Sequence, residues 1–403
     1  MNAPLKTATR ARAAIILDDH EALAAAERLA NTFASEAIVR DRERRLPYAE
    51  LDQLAASGLL AITVPREYGG AGVSTTTLAK VIARLAQADG SLGQIPQNHF
   101  YALEVLRVNG TQEQQARLFA EALAGIRFGN ALAEIGTKTS QIRTTSITPD
   151  GSGYRVNGRK FYSTGALYAQ RIPAGVMAAD GKQYMAYVHR DAEGLSIIDD
   201  WSGFGQRTTG SGSVVFDNVW VDAHDVVPFQ ASFERPTSVG PFAQILHAAI
   251  DTGIAWGAYE DTLRFVREHA RPWPDSGIEK ATDDPLTISD IGRLAIRLHA
   301  AEALLERAGA HLDIARAAPD EYSVAAASLA VAEARALSTE ISLAAGTKLI
   351  ELGGARASLA EHGLDRHWRN ARTHTLHDPV RWKYHAIGNY HLNDVLPPRK
   401  GYI

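Results

Sequence analysis

YRVNGRKFYSTG, residues 154–165, sets the architecture of this chain. It is rich in β-branched and aromatic residues, broken by Asn157-Gly158 and closed by Ser163-Thr164-Gly165, which is the pattern of a short strand ending in a turn. MAYVHR (185–190) and SVVFDNVWVD (213–222) are of the same kind. In the last, Val215, Val219 and Val221 fall on odd positions and Phe216 on an even one, so the alternation slips inside the strand. The change of pattern begins near Phe128. Together these segments predict a small antiparallel β domain over residues 126–235.

On both sides of it the sequence is helical. Over 18–125, Leu23, Leu29, Phe33 and Ile38 recur at near-helical spacing among Ala, Glu and Arg. Pro47 suits a helix start, Gly58 a helix end, and Thr111 with Gln114 a capping box. VPREYGGAG (64–72) marks a tight loop through Gly69, Gly70 and Gly72. Over 236–403, long alanine-rich amphipathic runs (288–317 and 323–352) predict closely packed antiparallel helices, with the proline-rich 271–287 as an exposed loop. Residues 1–17 read as a disordered tail. The fold class is α+β, mainly α: helices, β domain, helical bundle.

Composition narrows the function. The 403 residues carry 45% hydrophobic and 22% charged side chains, as a globular chain of two or three domains would. A net charge of −4 gives no reason to expect nucleic acid or an acidic membrane surface, and no apolar run is long enough to span a bilayer. The chain has no cysteine, which excludes disulfides, thiolate nucleophiles and Fe–S clusters and agrees with a cytoplasmic location.

Ionisable groups concentrate in RHWRNARTHTLHDPVRWKYHAIGNYHLN (366–393), which holds five of the fourteen histidines. Arg366, Arg369 and Arg372 step by three, so on a helix they share a face; His374 and His377 do the same, and Pro379 stops the helix. Imidazoles among guanidiniums suggest an anion with a proton donor beside it. A metal reading of the HxxHD element is disfavoured, because paired helical zinc histidines stand four residues apart rather than three. No metal is expected.

The order of segments and their junction motifs resembles the acyl-CoA dehydrogenase superfamily. ITVPREYGGAG (62–72) resembles its N-terminal glycine loop, FGNALAEIGTKTS (128–140) its first flavin-facing strand, GRKFYSTGA (158–166) its second, and GFGQRTTGSGSVVFDNVWV (203–221) the strands closing the β domain. The resemblance implies a middle antiparallel β-barrel and a C-terminal four-helix bundle. Where many of the dehydrogenases place a tyrosine–glutamate–glycine base motif, this chain reads His377-Asp378-Pro379. With the C-terminal LPPRKGYI (396–403), that segment instead resembles the flavin-dependent monooxygenase branch, which holds dibenzothiophene monooxygenases and sulfur-acquisition oxidoreductases.

The resemblance implies a site. Ser163, at the strand end, would bond flavin N5 or O4; an ST-turn serine is the alternative. Asn130 would bond a flavin edge or cap a turn, and Trp201 would cover the flavin face or pack a domain seam. Arg271 in HARPWP would reach the flavin phosphate of a neighbouring subunit. Gly353, Gly354, Arg372 and His374 complete the expected cofactor set. His377 would protonate a peroxyflavin to the C4a-hydroperoxyflavin, with Asp378 or His374 orienting it and His99 a further candidate facing the same pocket. The expected cofactor is reduced FMN, with FAD as the alternative, and O2 is co-substrate. The expected activity is oxygen insertion into a small organosulfur compound by a homotetramer, with a separate NAD(P)H:flavin reductase supplying the flavin. An FAD-dependent acyl-CoA dehydrogenase and a non-catalytic flavin- or acyl-binding protein are the competing readings.

Overall fold

The computed structural model describes residues 13–138 and 142–403. The first part is helical: α1 (Asp19–Ala34), α2 (Ala37–Glu43), α3 (Tyr48–Ala56), α4 (Thr75–Ala88), α5 (Gly90–Gln94), α6 (Gln97–Asn109) and α7 (Gln112–Leu123). The capping box at α7 forms as read, Gln114 N donating to Thr111 Oγ1 and Thr111 N to Gln114 Oε1. α1 departs from its apparent pattern. Its buried face is Ala22, Ala25, Ala26, Ala30 and Phe33, while Leu23 is exposed. The small side chains are what face the core, so the backbone of α1 can lie close to the underlying layer. The expected tail to residue 17 is also corrected in part: Ala14 N donates to Ala56 O and Ile16 is buried, while residues 1–12 lie outside the described residues.

The middle part is a seven-stranded sheet built from β1 (Ser146–Asp150), β2 (Gly153–Lys160), β3 (Arg171–Met177), β4 (Gln183–His189), β5 (Leu195–Ile198), β6 (Ser213–Asp222) and β7 (Val226–Pro228), in the order β5-β6-β2-β1-β3-β4-β7. It is antiparallel except for the β1–β3 join, which is parallel. The slip in SVVFDNVWVD is a β-bulge. Val156 pairs with Val219 and Gly158 with Phe216, Asn218 turns to φ +52, and the buried set passes from Val214 and Phe216 to Val219 and Val221.

The last part holds α8 (Ala231–Glu234), α9 (Val239–Glu268), α10 (Pro285–Ala317), α11 (Glu321–Gly353), α12 (Asp365–His374) and α13 (Arg381–Asn393). Helix α9 is buried almost all round from Val239 to Ala255, including the polar Gln244, His247 and Asp251. It packs against α4 and α11 at the centre of the molecule. No described helix is long and apolar enough to cross a membrane.

Candidate active site

The histidine segment does not form one continuous helix. α12 ends at His374, and His377 lies in the following turn, its N–H donating to the His374 carbonyl. The helix therefore stops before Pro379 rather than at it. The three arginines also separate. Arg366 pairs with Asp261 at 2.9 Å and Arg369 with Asp41 at 2.5 Å, so both are neutralised locally. Arg372 differs: its Nε is buried and has no hydrogen-bond partner among the described residues.

His374 is fully buried. Its Nδ1 lies 2.6 Å from Asp251 Oδ1, and its Nε2 lies 3.0 Å from His247 Nδ1. Both carboxylate and second imidazole come from α9, four residues apart and so on one face. Asp251 also takes the Arg335 guanidinium of α11 and lies 3.4 Å from Thr339 Oγ1. Burial pushes the Asp251 carboxyl up, but Arg335 and His374 more than offset this and hold it below its ordinary value. Burial pushes both His374 and His247 down, against the pull of Asp251 on His374, and so favours the neutral ring in each. With both nitrogens engaged, His374 has no free edge for a flavin.

His377 completes the cluster. Its ring centre lies 3.8 Å from that of His247 with the planes inclined by 38°. Its Nδ1 lies 3.3 Å from Asp378 Oδ2, and its side chain is about half exposed (49%). Asp378 is buried, with Lys383 Nζ 3.0 Å from its other oxygen; Lys383 donates in turn to the Tyr402 carbonyl. Burial raises the Asp378 carboxyl, but His377, Arg335 and Lys383 together draw it well below its ordinary value, so it stays an anion. Histidine 377 is thus the one imidazole of the three that reaches solvent.

The loop between β5 and β6 ties this cluster to the strand-end serine. Gln206 N donates to Asn370 Oδ1 of α12 at 2.7 Å, and Arg369 donates to Phe204 O at 3.0 Å. At its other end, Ser163 N donates to Gly212 O and Gly165 N to Thr209 O. Gly205 has to be glycine, since a Cβ there would stand 1.9 Å from Arg369 O. Ser163 Oγ is fully buried without a partner among the described residues, and both polar side-chain atoms of Gln206 are in the same state. Buried polar atoms left open in this way are what a bound polar ligand would satisfy.

The remaining expected residues fall out unevenly. Asn130 uses Nδ2 on the Tyr162 carbonyl (3.2 Å) and Oδ1 on Leu132 N (3.1 Å), an Asx turn that also steadies the strained Tyr162 (φ +57) beside Ser163. Trp201 donates Nε1 to Gln206 O at 2.8 Å and packs by Phe161 and Tyr162, on the same loop. His99 stands apart. Nε2 lies 2.7 Å from Leu60 O and Nδ1 accepts from Phe128 N at 3.1 Å, so both nitrogens hold main chain and neither is left for proton transfer. Arg271 is exposed beyond the end of α9, and Gly354 (φ +68) has open space before it after Gly353 closes α11. Among the described residues, no three His, Asp or Glu side chains converge as a metal site would need. His247, Asp251, Arg335 and Lys383 were not anticipated. The available signal was a His and an Asp four apart in the mostly apolar first half of α9, where a charge is costly unless partnered.

Family models confirm the plan of the chain. The acyl-CoA dehydrogenase N-terminal domain matches residues 18–126, its middle domain residues 131–219 and its C-terminal domain residues 245–382. The chain belongs to the acyl-CoA dehydrogenase family. Within that family it lies in the monooxygenase branch. It is 34% identical to the dibenzothiophene monooxygenase of Rhodococcus qingshengii over 397 residues, covering 94% of this chain and 95% of the relative. It is 32% identical to the probable FMNH2-dependent monooxygenase SfnC of Pseudomonas putida, covering 98% of each. The FMN-bound crystal structure of TdsC from Paenibacillus sp. A11-2 superposes with a TM-score of 0.91 at 32% identity, covering 95% of this chain and all of that one.

Proposed function

We propose that this protein is a reduced-FMN-dependent monooxygenase that adds one atom of O2 to a small organosulfur compound, the other atom leaving as water. The observation that carries the reading is His377. It lies in the segment His377-Asp378-Pro379, which stands where many of the dehydrogenases carry their tyrosine–glutamate–glycine motif, it keeps an exposed edge, and Asp378 lies at its Nδ1 and the His247 ring at its face. Reduced FMN, when bound, supplies the two electrons that dioxygen activation needs. The open Ser163 Oγ and Gln206 amide fit its polar ring edge. Arg372, and Arg271 from a neighbouring subunit with the Gly353-Gly354 turn, suit its phosphate.

In this reading the protein's own part is proton control. His377 donates at Nε2, since Nδ1 is held to Asp378, and its exposed edge is recharged from solvent. Asp378 stays ionised between His377 and Lys383 and cannot itself be the donor. The reduced flavin comes from a separate NAD(P)H:flavin reductase, and the assembly is a cytoplasmic homotetramer. The test is to titrate reduced FMN and reduced FAD anaerobically, then admit 18O2 with aryl and alkyl sulfides and follow the label. One labelled oxygen in an S-oxide is the expected product. Tight FAD co-purification with acyl-CoA oxidation would overturn the reading in favour of a dehydrogenase.

A further inference from the structure

Behind His377 lies a buried line of polar groups from three helices: Arg335 of α11, Asp251 and His247 of α9, and His374 of α12. All four are at most 2% exposed. A buried ion pair with two imidazoles attached is costly to assemble, and apolar side chains of the same size would pack there more cheaply. Its arrangement has a direction. The Asp251 carboxylate can only accept, so His374 must carry its proton on Nδ1. In the neutral form of His374, toward which burial moves it, Nε2 is then the acceptor and His247 carries its proton on Nδ1. The line therefore fixes the tautomer and the plane of His247, whose ring lies against that of His377.

We propose that His247 is a positioning residue of the oxygenation: oriented by Asp251 through His374, it offers a ring face of fixed orientation on which His377 is seated for proton delivery. The two rings lie 3.8 Å apart at 38°, so a His247 ring of fixed plane sets the plane in which the His377 ring can sit. The groups that face His377 are consistent with this. Asp378 lies at its Nδ1, Lys383 is neutralised on Asp378, and the Arg335 charge is answered by Asp251. When the proton is delivered, the Nε2–H bond of His377 breaks, its electron pair stays on the imidazole, and an O–H bond forms on the oxygen bound for water. This inference rests on the monooxygenase reading above.

The experiment uses full-length protein in two arms. In the first, 15N-histidine spectra of the flavin-free protein report tautomers. His247 and His374 should both be neutral Nδ1–H forms, and His374→Gln should release His247 toward its usual Nε2–H form. In the second, His247→Leu and His247→Phe are compared for coupled S-oxidation and peroxide release against pH. The leucine variant should lose at least tenfold in coupled product across the pH range and divert oxygen to peroxide. The phenylalanine variant, which keeps a ring under His377, should recover most of both. Should the leucine variant not fold, His247→Asn removes the ring while keeping a donor for His374. An Nε2–H tautomer at His247 in the wild type, or a ringless variant with wild-type coupling across the pH range, would overturn the inference. A wild type that oxidises no sulfur compound would instead overturn the proposed function and leave the tautomer result standing.

Discussion

His99 on α6 and the His247–His374–His377 group at α9 both contain buried imidazoles, and they differ in what the second nitrogen meets. His99 holds the Leu60 carbonyl on one side and the Phe128 amide on the other, joining the helical layer to the start of the β domain. Both contacts are to main chain, which neither titrates nor moves a proton. In the other group, His374 meets a carboxylate and a histidine, and His377 meets a carboxylate and solvent. Burial alone therefore does not mark a working histidine. A carboxylate at one nitrogen with an open edge at the other does.

The largest effect that would test this contrast is at His377. His377→Phe keeps a ring on His247 and removes the proton, so coupled product should fall by on the order of 10²–10⁴ while reduced FMN still binds. Oxygen consumption should continue with peroxide as product, followed by stopped-flow absorbance and a peroxide assay. Asp378→Asn should be milder. Normal product from the His377 variant together with loss in the Asp378 variant would make the carboxylate the working group.

The second effect is at His99 and concerns stability. Burial draws His99 down from its ordinary 6.5 to about 4. The unfolded chain thus takes up a proton that the folded chain refuses, and stability falls as pH drops from about 6.5 to about 4, levelling below that. A displacement of this size is worth roughly 3 kcal/mol, at about 1.4 kcal/mol for each pH unit. Urea unfolding across this range should show a shallower acid slope in His99→Gln than in the wild type. Coupling in the variant should be unchanged, since no proton passes through His99. A loss of coupling at neutral pH would put His99 back at the site.

Sequence and structure agree where local chemistry sets the outcome. The Thr111–Gln114 box and the strand that ends at Lys160, just ahead of the Ser163 turn, both depend on near neighbours, and the sequence order carries them. The slip in β6 was visible, and the bulge at Asn218 is its cause. What was hidden is the layer beneath. His247 and Asp251 lie in a helix buried all round, so no periodic face marks them, and Arg335 lies 84 positions away from Asp251 in an alanine-rich run. Their pairing is a fact of helix packing, which spacing along the chain does not record. The arginine triad was misleading for the same reason: Asp261 and Asp41, distant in sequence, neutralise two of its members.

A third test separates Arg271 from those neutralised arginines. It is exposed, and no ion pair binds it among the described residues. Arg271→Ala should leave the melting temperature of the flavin-free protein unchanged and weaken reduced FMN binding on the order of 10- to 100-fold, as for a charge-assisted phosphate contact. Fluorescence titration measures it. Unchanged affinity would make Arg271 a solvated loop residue.

The smallest expected effect discriminates most finely, because its two consequences have opposite sign. Ser163 Oγ is fully buried and has no hydrogen-bond partner among the described residues, while its backbone N–H is already held by Gly212 O at 3.1 Å. A buried hydroxyl in that state carries a desolvation cost of roughly 1–3 kcal/mol that a ligand acceptor or donor would offset. Ser163→Ala removes the hydroxyl and leaves the backbone contact. The flavin-free protein should therefore keep its stability or gain slightly, since an open polar atom has gone. Reduced FMN should bind roughly 2- to 10-fold more weakly, the loss of one neutral hydrogen bond worth about 0.5–1.5 kcal/mol. Thermal melts with and without FMN, on the same preparation, read both signs at once. An ST-turn serine would give the reverse, a less stable protein with unchanged affinity, because its hydroxyl would be serving the chain rather than the flavin.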